Sequence, residues 1–372
     1  MSIDCLPLNS LDLENWSARL TAPLKGKRFP LSATFELTNR CNMRCVHCFI
    51  NEPQASRAAI SKELSTAQVC DLLDRIAAAG CLFLTLTGGE VFLRSDFEEI
   101  YTHALKKGMV VVLFTNGTLI TESIARLLAE YRPLMVEITL YGATAEVYEN
   151  MTRIPGSYER CMRGIHLLLE QGIPLRLKSE LTTINASEIL AMKSLTEALG
   201  LEFRYDGLLW PRLDGDKRPL QYQLPLETLL SLDLVDKKRE EEEIGEVERL
   251  KDISARTESV YSCGAGHNNF HIDSAGRMSI CMMSRRPSFD LLRMSVEEAW
   301  HQIGLLKEQK RVLPSNCISC TINQLCSQCP GWSQAFYGDN ETVVPFVCEL
   351  GMRRSSRAIE AKRERLRSEN DG

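Results

Sequence analysis

The sequence predicts an α/β chain in which alternating strands and helices are followed by a region built around cysteines. Three observations carry that reading. From residue 31 to about 206, extended apolar runs alternate with segments of helical periodicity, the pattern of βαβ units and a parallel sheet. Glycines stand where several of those helices would end. Seven of the fourteen cysteines fall after residue 260. In order, a strand is expected at Ala33–Leu37, then a helix at Thr66–Ala79 closed by Gly80, and a strand at Leu82–Thr87. A helix at Asp96–Lys107 closed by Gly108, a strand at Val110–Thr115 and a helix at Thr121–Tyr131 follow. Next come a strand at Met135–Leu140, a helix at Tyr158–Gln171 closed by Gly172, and a strand at Leu175–Thr182. A helix at Ala186–Leu199 closed by Gly200 and a strand at Glu202–Tyr205 complete the series.

The rest is less regular. Leu213–Pro219 reads as a loop, and the Lys, Arg and Glu run Asp236–Asp252 as a solvated helix bridging two parts. Asp273-Ser-Ala-Gly276 reads as a hairpin turn, and Arg353–Arg367 as a basic surface helix. The chain has 372 residues, room for a large core or two domains. A net charge of −5 gives no basic field for nucleic acid, and no apolar run reaches the length of a membrane span. The N-terminus has no basic or apolar signal region, so fourteen cysteines point to metal or redox chemistry in the cytoplasm rather than to disulfides.

The most specific motif is Cys41-Asn-Met-Arg-Cys45-Val-His-Cys48, spaced C-x3-C-x2-C. Three thiolates can cover three irons of a cubane cluster and leave the fourth open to a small molecule, whereas ordinary electron-transfer clusters use four cysteines. Zinc in a Cys3His site with His47 is the alternative, but His47 adjoins Cys48, which makes joint chelation of one ion awkward.

The run, with Leu37-Thr38-Asn39-Arg40 before it, resembles the signature of the radical SAM superfamily. The resemblance implies that the open iron binds S-adenosylmethionine (SAM), whose one-electron cleavage gives a 5′-deoxyadenosyl radical. It also decides between a doubly wound sheet and a partial (β/α)6 barrel, which fit the periodicity equally well, in favour of the barrel. Chemistry then gathers at the C-terminal strand ends, where the cysteine run, Gly88-Gly89-Glu90 and Asn116-Gly117 fall. Gly88-Gly89-Glu90 resembles the superfamily's GGE motif: the glycines let the backbone approach the ligand, and Glu90 accepts from the methionine ammonium. By the same resemblance His47 lies along the adenine, Asn116 lines the pocket, Thr139 supplies a hydroxyl, Arg153 meets the SAM carboxylate, and Lys178 and Ser179 contact carboxylate or ribose. Asp206 and Asp214, after the last strand, are the candidate proton acceptors, with ordinary loop capping as the alternative.

The second set, Cys263, Cys281, Cys317, Cys320, Cys326, Cys329 and Cys348, resembles the SPASM domain, which holds auxiliary [4Fe–4S] clusters. The interval before the sixth cysteine is two residues where the family has three. The resemblance assigns Cys317, Cys320, Cys326 and Cys348 to one cluster and Cys263, Cys281 and Cys329 to another. The latter lacks a fourth cysteine, so its last iron is open, or takes His267, Asp273 or a substrate thiolate. Cys5, Cys70, Cys81 and Cys161 are left over; Cys70 and Cys161 read as small buried hydrophobes.

The expected division is an N-terminal extension at 1–30, the barrel at 31–206, a bridging region at 207–262, the SPASM domain at 263–350 and a C-terminal basic helix at 351–372. The expected function is oxidative radical modification of a ribosomally made peptide, by thioether or other cross-linking or by epimerisation. Haem-precursor decarboxylation is the alternative, sulfatase maturation a third, and a non-catalytic iron–sulfur carrier the reading from another class. The expected partners are a reductant such as flavodoxin or ferredoxin and, because roughly thirty residues precede the first strand, a separate leader-peptide-binding protein.

Overall fold

Six parallel strands run side by side in chain order: β1 (Ser32–Thr38), β2 (Phe83–Gly88), β3 (Val110–Thr115), β4 (Met135–Thr139), β5 (Leu175–Glu180) and β6 (Glu202–Asp206). This is a computed structural model, and it describes residues 22 and 26–370 apart from 51, 236–240, 242, 243, 246, 248–257, 313–316 and 323–325. Most of the expected N-terminal extension, Cys5 and most of the Asp236–Asp252 run lie outside the described residues. A doubly wound sheet reverses its strand order at a switch point. Here the order never reverses, so right-handed crossovers put the helices on one face, as in a partial barrel.

Helices α1 (Thr66–Ala78), α2 (Phe97–Lys106) and α3 (Glu122–Glu130) follow β1, β2 and β3. Between β4 and β5 lie α4 (Ala145–Thr152) and α5 (Ser157–Glu170), and α6 (Ile189–Ala198) precedes β6. Helix α1 shows why these segments are helical. Ser65 caps it with a reciprocal Gln68 box, and Val69, Leu72, Leu73 and Ile76 bury one face at three- and four-residue spacing. Each such side chain contributes about 1.5–3 kcal/mol. Gly80 then turns the chain at φ 101°, where a Cβ would be strained. Helix α4 was not expected from the sequence: its eight residues bury Tyr148, Met151 and Thr152 beside polar neighbours, too short a stripe to read as periodic.

The cysteine-rich region joins the same sheet. The expected hairpin is present as β7 (Asn269–Ile272) and β8 (Arg277–Ser279), and β9 (Ser288–Asp290) extends it. Strand β7 pairs in parallel with the free edge of β1, Ser32 opposite Asn269 through Phe35 opposite Ile272. After β6 the longer helices among the described residues are α7 (Leu226–Asp233), α8 (Val296–Lys307), α9 (Pro330–Tyr337) and α10 (Pro345–Asn370). The basic terminal helix thus begins earlier than its charges suggest. It docks on α7, where Arg354 makes two 2.8 Å bonds to Asp233, itself 1% exposed. Among the described residues no helix is long and apolar enough to cross a membrane.

The seam between β1 and the hairpin holds a buried charge network. Glu36 is fully buried, and Arg285 grips both its oxygens at 2.6 and 2.9 Å. His271 faces it at 3.5 Å and shares a 3.0 Å bond with Ser279. Burial alone would raise the Glu36 carboxyl; the bonds and charges of His271 and Arg285 outweigh it and hold the group at about 2. Its contribution to stability is therefore complete above the ordinary value of 4.5 and is lost as pH falls toward about 2. Glu36→Gln should lower stability by about 3–5 kcal/mol, because it strands Arg285 against a neutral partner. Denaturant unfolding at neutral pH measures the loss, and the same titration at pH 4 should show the gap narrowing.

Candidate active site

The cysteine run leaves β1 and is pinned at both ends by backbone. Its first part forms a two-residue parallel bridge, Arg40–Cys41 beside Glu52–Pro53. Its middle hangs on the C-terminal end of α4: Arg44 and Val46 donate to the carbonyls of Thr152 and Met151, both at 3.0 Å. Cys45 is buried, while Cys41 and Cys48 are half-buried. All three border a cavity of about 410 Å3 at the C-terminal strand ends, with His47, Gly88, Gly89, Asn116, Thr139 and Lys178 on its wall.

Gly88 and Gly89 are required by the chain itself. A Cβ at Gly88 would lie 2.1 Å from the carbonyl oxygen of Thr38, and one at Gly89 would lie 2.2 Å from that of Arg40. The peptide N–H groups use this approach: Gly89 donates to Thr38 at 2.7 Å and Glu90 donates to Arg40 at 2.9 Å. The motif therefore zips β2 onto the residues that enter the cysteine run. Glu90 is fully buried and off the cavity wall. Its carboxylate accepts from Thr115 Oγ1 at 2.8 and 2.9 Å, from the Asn116 N–H at 2.8 Å and from the Phe92 N–H at 3.2 Å. Burial pushes it up to about 7 against the pull of those bonds. Asn116 continues the network, donating to Asn42 Oδ1 at 2.9 Å, and Asn42 donates to Thr118 at 2.8 Å.

Other expected residues separate into those on the wall and those away from it. Lys178 crosses the cavity edge, bonded to Glu137 at 3.2 Å and lying 3.2 Å above the Phe114 ring. Burial lowers its pKa, opposed by Glu137. His47 packs 5.0 Å from Tyr141, its Nδ1 shielded from solvent without a partner, and burial lowers it to about 4. Ser179 turns its hydroxyl toward Met192 rather than the main cavity. Arg153 is a left-handed helix cap (φ 59°) that reaches Tyr222, and neither it nor Asp214 lines the cavity. Asp214 accepts from the Asp216 N–H at 3.0 Å, and Asp206 Oδ1 from those of Gly207 and Leu208 at 2.7 and 3.2 Å, the loop-capping geometry.

Sequence reasoning missed Glu180, Tyr141, Leu208–Trp210, Met282 and Met283, all on the wall. Glu180 had a signal: it follows Lys178 by two on β5, so both face the same side. Its Oε1 has no partner, and burial with the charge of Asp206 beside it holds the group well above the usual carboxylate range.

The second cysteine set forms two neighbourhoods. Burial pushes Cys326 up to about 11, with Cys348, Cys317 and Cys320 adding to the rise. Burial raises Cys329, with Cys281 and Cys263 as its charged neighbours, and the buried Tyr261 faces the same three. Asp273 Oδ1 caps the hairpin turn through the N–H groups of Ala275 and Arg277, both at 2.9 Å, and is thereby occupied.

The thiols fit a cation-bearing group. Burial pushes Cys41 up to about 12, with the Glu90 charge adding to it, and raises Cys45 as well. Such thiols become ligands when a metal displaces their protons.

Residues 35–186 match the model of the Radical SAM superfamily. Over those residues the chain carries a radical SAM domain. This radical SAM enzyme has SAM and a [4Fe–4S] cluster as cofactors and is homologous to SPASM-type maturases. It is 25% identical over 341 residues to an AdoMet-dependent heme synthase of Methanosarcina barkeri, a match covering 85% of this chain and 96% of that protein. It is 32% identical over 201 residues to the antilisterial bacteriocin subtilosin biosynthesis protein AlbA of Bacillus subtilis, covering 53% of this chain but 44% of AlbA. The crystal structure of Streptococcus suis SuiB bound to precursor peptide SuiA shares the fold, with a TM-score of 0.68 at 16% identity over 94% of this chain and 84% of SuiB.

Gly89→Ala should displace the entry to the cysteine run, since the colliding atoms are backbone. A loss of about 1–3 kcal/mol in stability is expected, together with loss of iron from the run. Gly245→Ala, where a Cβ meets nothing within 4 Å, is the control: iron content should not change, and the unfolding midpoint should hold or rise slightly because residue 245 is helical.

Proposed function

We propose that this radical SAM enzyme holds its SAM-binding cluster on Cys41, Cys45 and Cys48 and oxidatively modifies a peptide. Bound there, the cluster and SAM supply the one-electron cleavage that yields a 5′-deoxyadenosyl radical. Gly88 and Gly89 carry the floor of the pocket, Asn116 and Thr139 offer polar contacts along it, and Lys178 suits the SAM carboxylate. His47, kept neutral by burial, suits the adenine edge. Glu90 acts from beneath by fixing Thr115 and Asn116. Proton acceptance from substrate is assigned to the Glu180–Asp206 pair, in which Glu180 presents an unpartnered oxygen.

The observation that carries the peptide reading is the cavity's charge. Among the described residues Lys178 is the one lysine or arginine on this wall, Glu137 already pairs with it, and the adjoining cavity adds Arg204. A tetrapyrrole bearing several carboxylates needs several cations, and about 410 Å3 lies near the low end of pockets for a single drug-sized ligand. Apolar Phe49, Ile50, Leu208, Leu209 and Trp210 suit an inserted side chain instead. Cross-linking, as a thioether or otherwise, ranks before epimerisation because Cys263, Cys281 and Cys329 leave a cluster one ligand short. The haem-precursor reading keeps one specific support, the length over which the M. barkeri heme synthase matches. A cytoplasmic setting and delivery of electrons by a flavodoxin or ferredoxin follow from the need for a reduced cluster.

Two measurements test this. Anaerobically reconstituted enzyme should carry about twelve irons per chain, and its Cys41/Cys45/Cys48→Ala variant about eight; unchanged iron in the variant refutes the assignment. Dithionite-reduced enzyme with SAM should then give more 5′-deoxyadenosine with cysteine-containing peptides than with SAM alone. Turnover of a propionate-bearing iron porphyrin, with none of the peptides, would replace the peptide reading by the haem one.

A further inference from the structure

The cavity and the three-cysteine site share a single wall, and two tryptophans cross it. Trp210 lines the cavity that Cys41, Cys45 and Cys48 border. Its ring stacks on Trp332 at a centroid separation of 3.4 Å and an interplanar angle of 10°. Trp332 is 4% exposed, and its backbone N–H donates to the carbonyl of Cys329 at 3.1 Å, which places it one turn from that cysteine. Met283, also on the cavity wall, donates its N–H to Cys281 Sγ at 3.4 Å. A Cβ on Gly331, the residue before Trp332, would lie 3.1 Å from the Cβ of Met283. The indole pair therefore runs from the cavity wall to the residue one turn beyond Cys329.

We infer that the Trp210–Trp332 stack is the electron path between the cavity and the Cys263/Cys281/Cys329 site. The inference rests on the reading that these cysteines hold a cluster. Tunnelling weakens steeply through gaps and far less through overlapping π systems in contact, and this pair leaves no gap. In the reaction, a substrate C–H bond gives its hydrogen atom to the 5′-deoxyadenosyl radical. The carbon radical then loses one electron through the stack to an oxidised auxiliary [4Fe–4S] cluster, which is reduced by one electron. A proton leaves the substrate to a carboxylate or water as the new bond forms, so the substrate gives up two electrons and two protons in all.

The test needs no substrate. Flash photoreduction with deazariboflavin injects an electron into holoenzyme, and freeze-quench EPR follows its redistribution between the cavity cluster and the auxiliary cluster. Trp210→Leu and Trp332→Leu should each slow that redistribution tenfold or more, while Trp210→Phe and Trp332→Phe restore most of it. Near-ultraviolet circular dichroism of the apo-protein should lose the stacked-indole couplet in all four variants, an independent readout of the stack. Unchanged redistribution in the Leu variants, with iron content and auxiliary EPR signal intact, overturns the inference. A wild-type enzyme without an auxiliary signal overturns the cluster reading itself. If Trp332→Leu loses iron, Trp210→Leu, on the half-buried side, decides the matter.

Discussion

The site depends on one backbone contact, the approach of Gly88-Gly89-Glu90 to Thr38-Asn39-Arg40. Two backbone hydrogen bonds at 2.7 and 2.9 Å tie the end of β2 to the start of the cysteine run. No side chain fits between them, so the contact exists only because two successive residues have no Cβ. Glu90 is carried into the interior by the same turn and there orders the end of β3 through Thr115 and Asn116. Burying a carboxylate is costly, and burial pushes Glu90 up to about 7 against the hydrogen bonds of its three donors, Thr115, Asn116 and Phe92. The return on that cost is rigidity: three strand ends become one platform, and the cysteines stand on it.

A second constraint joins the two cysteine regions. Because β7 lies on the free edge of β1, the hairpin that leads to Cys281 is part of the barrel's sheet. Glu36, Arg285 and His271 close the seam from within. Arg285 follows Met282 and Met283, which line the cavity, so the ion pair also sets how the roof sits over the cysteine run. Electron exchange between sites requires fixed distances, and a shared sheet with a buried ion pair supplies them.

Much of this was legible in the sequence. The six strands and five of the helices fall within a few residues of their expected places, because buried parallel strands are continuous apolar runs and glycines end the helices between them. The cysteine run and GGE were equally plain, since each is contiguous. Helix α4 and the helices α7, α8 and α9 were not, being short or weakly patterned. The wall residues Leu208–Trp210, Met282 and Met283 carry no signal as isolated apolar residues, and they reach the cavity from loops far apart in the chain. The glycines, expected for the room they leave a ligand, also make room for the protein's own backbone.

The sequence by itself determined the kind of chemistry, because spacing within a short run decides which thiols can share a cluster. It also determined the repeating architecture, because hydrophobic periodicity is local. Only the tertiary structure decided that the C-terminal hairpin continues the barrel sheet, that Glu90 points away from the cavity while Glu180 borders it, and that Trp210 meets Trp332. Those outcomes depend on contacts between residues tens to hundreds of positions apart, and such contacts arise only when the strands are laid side by side.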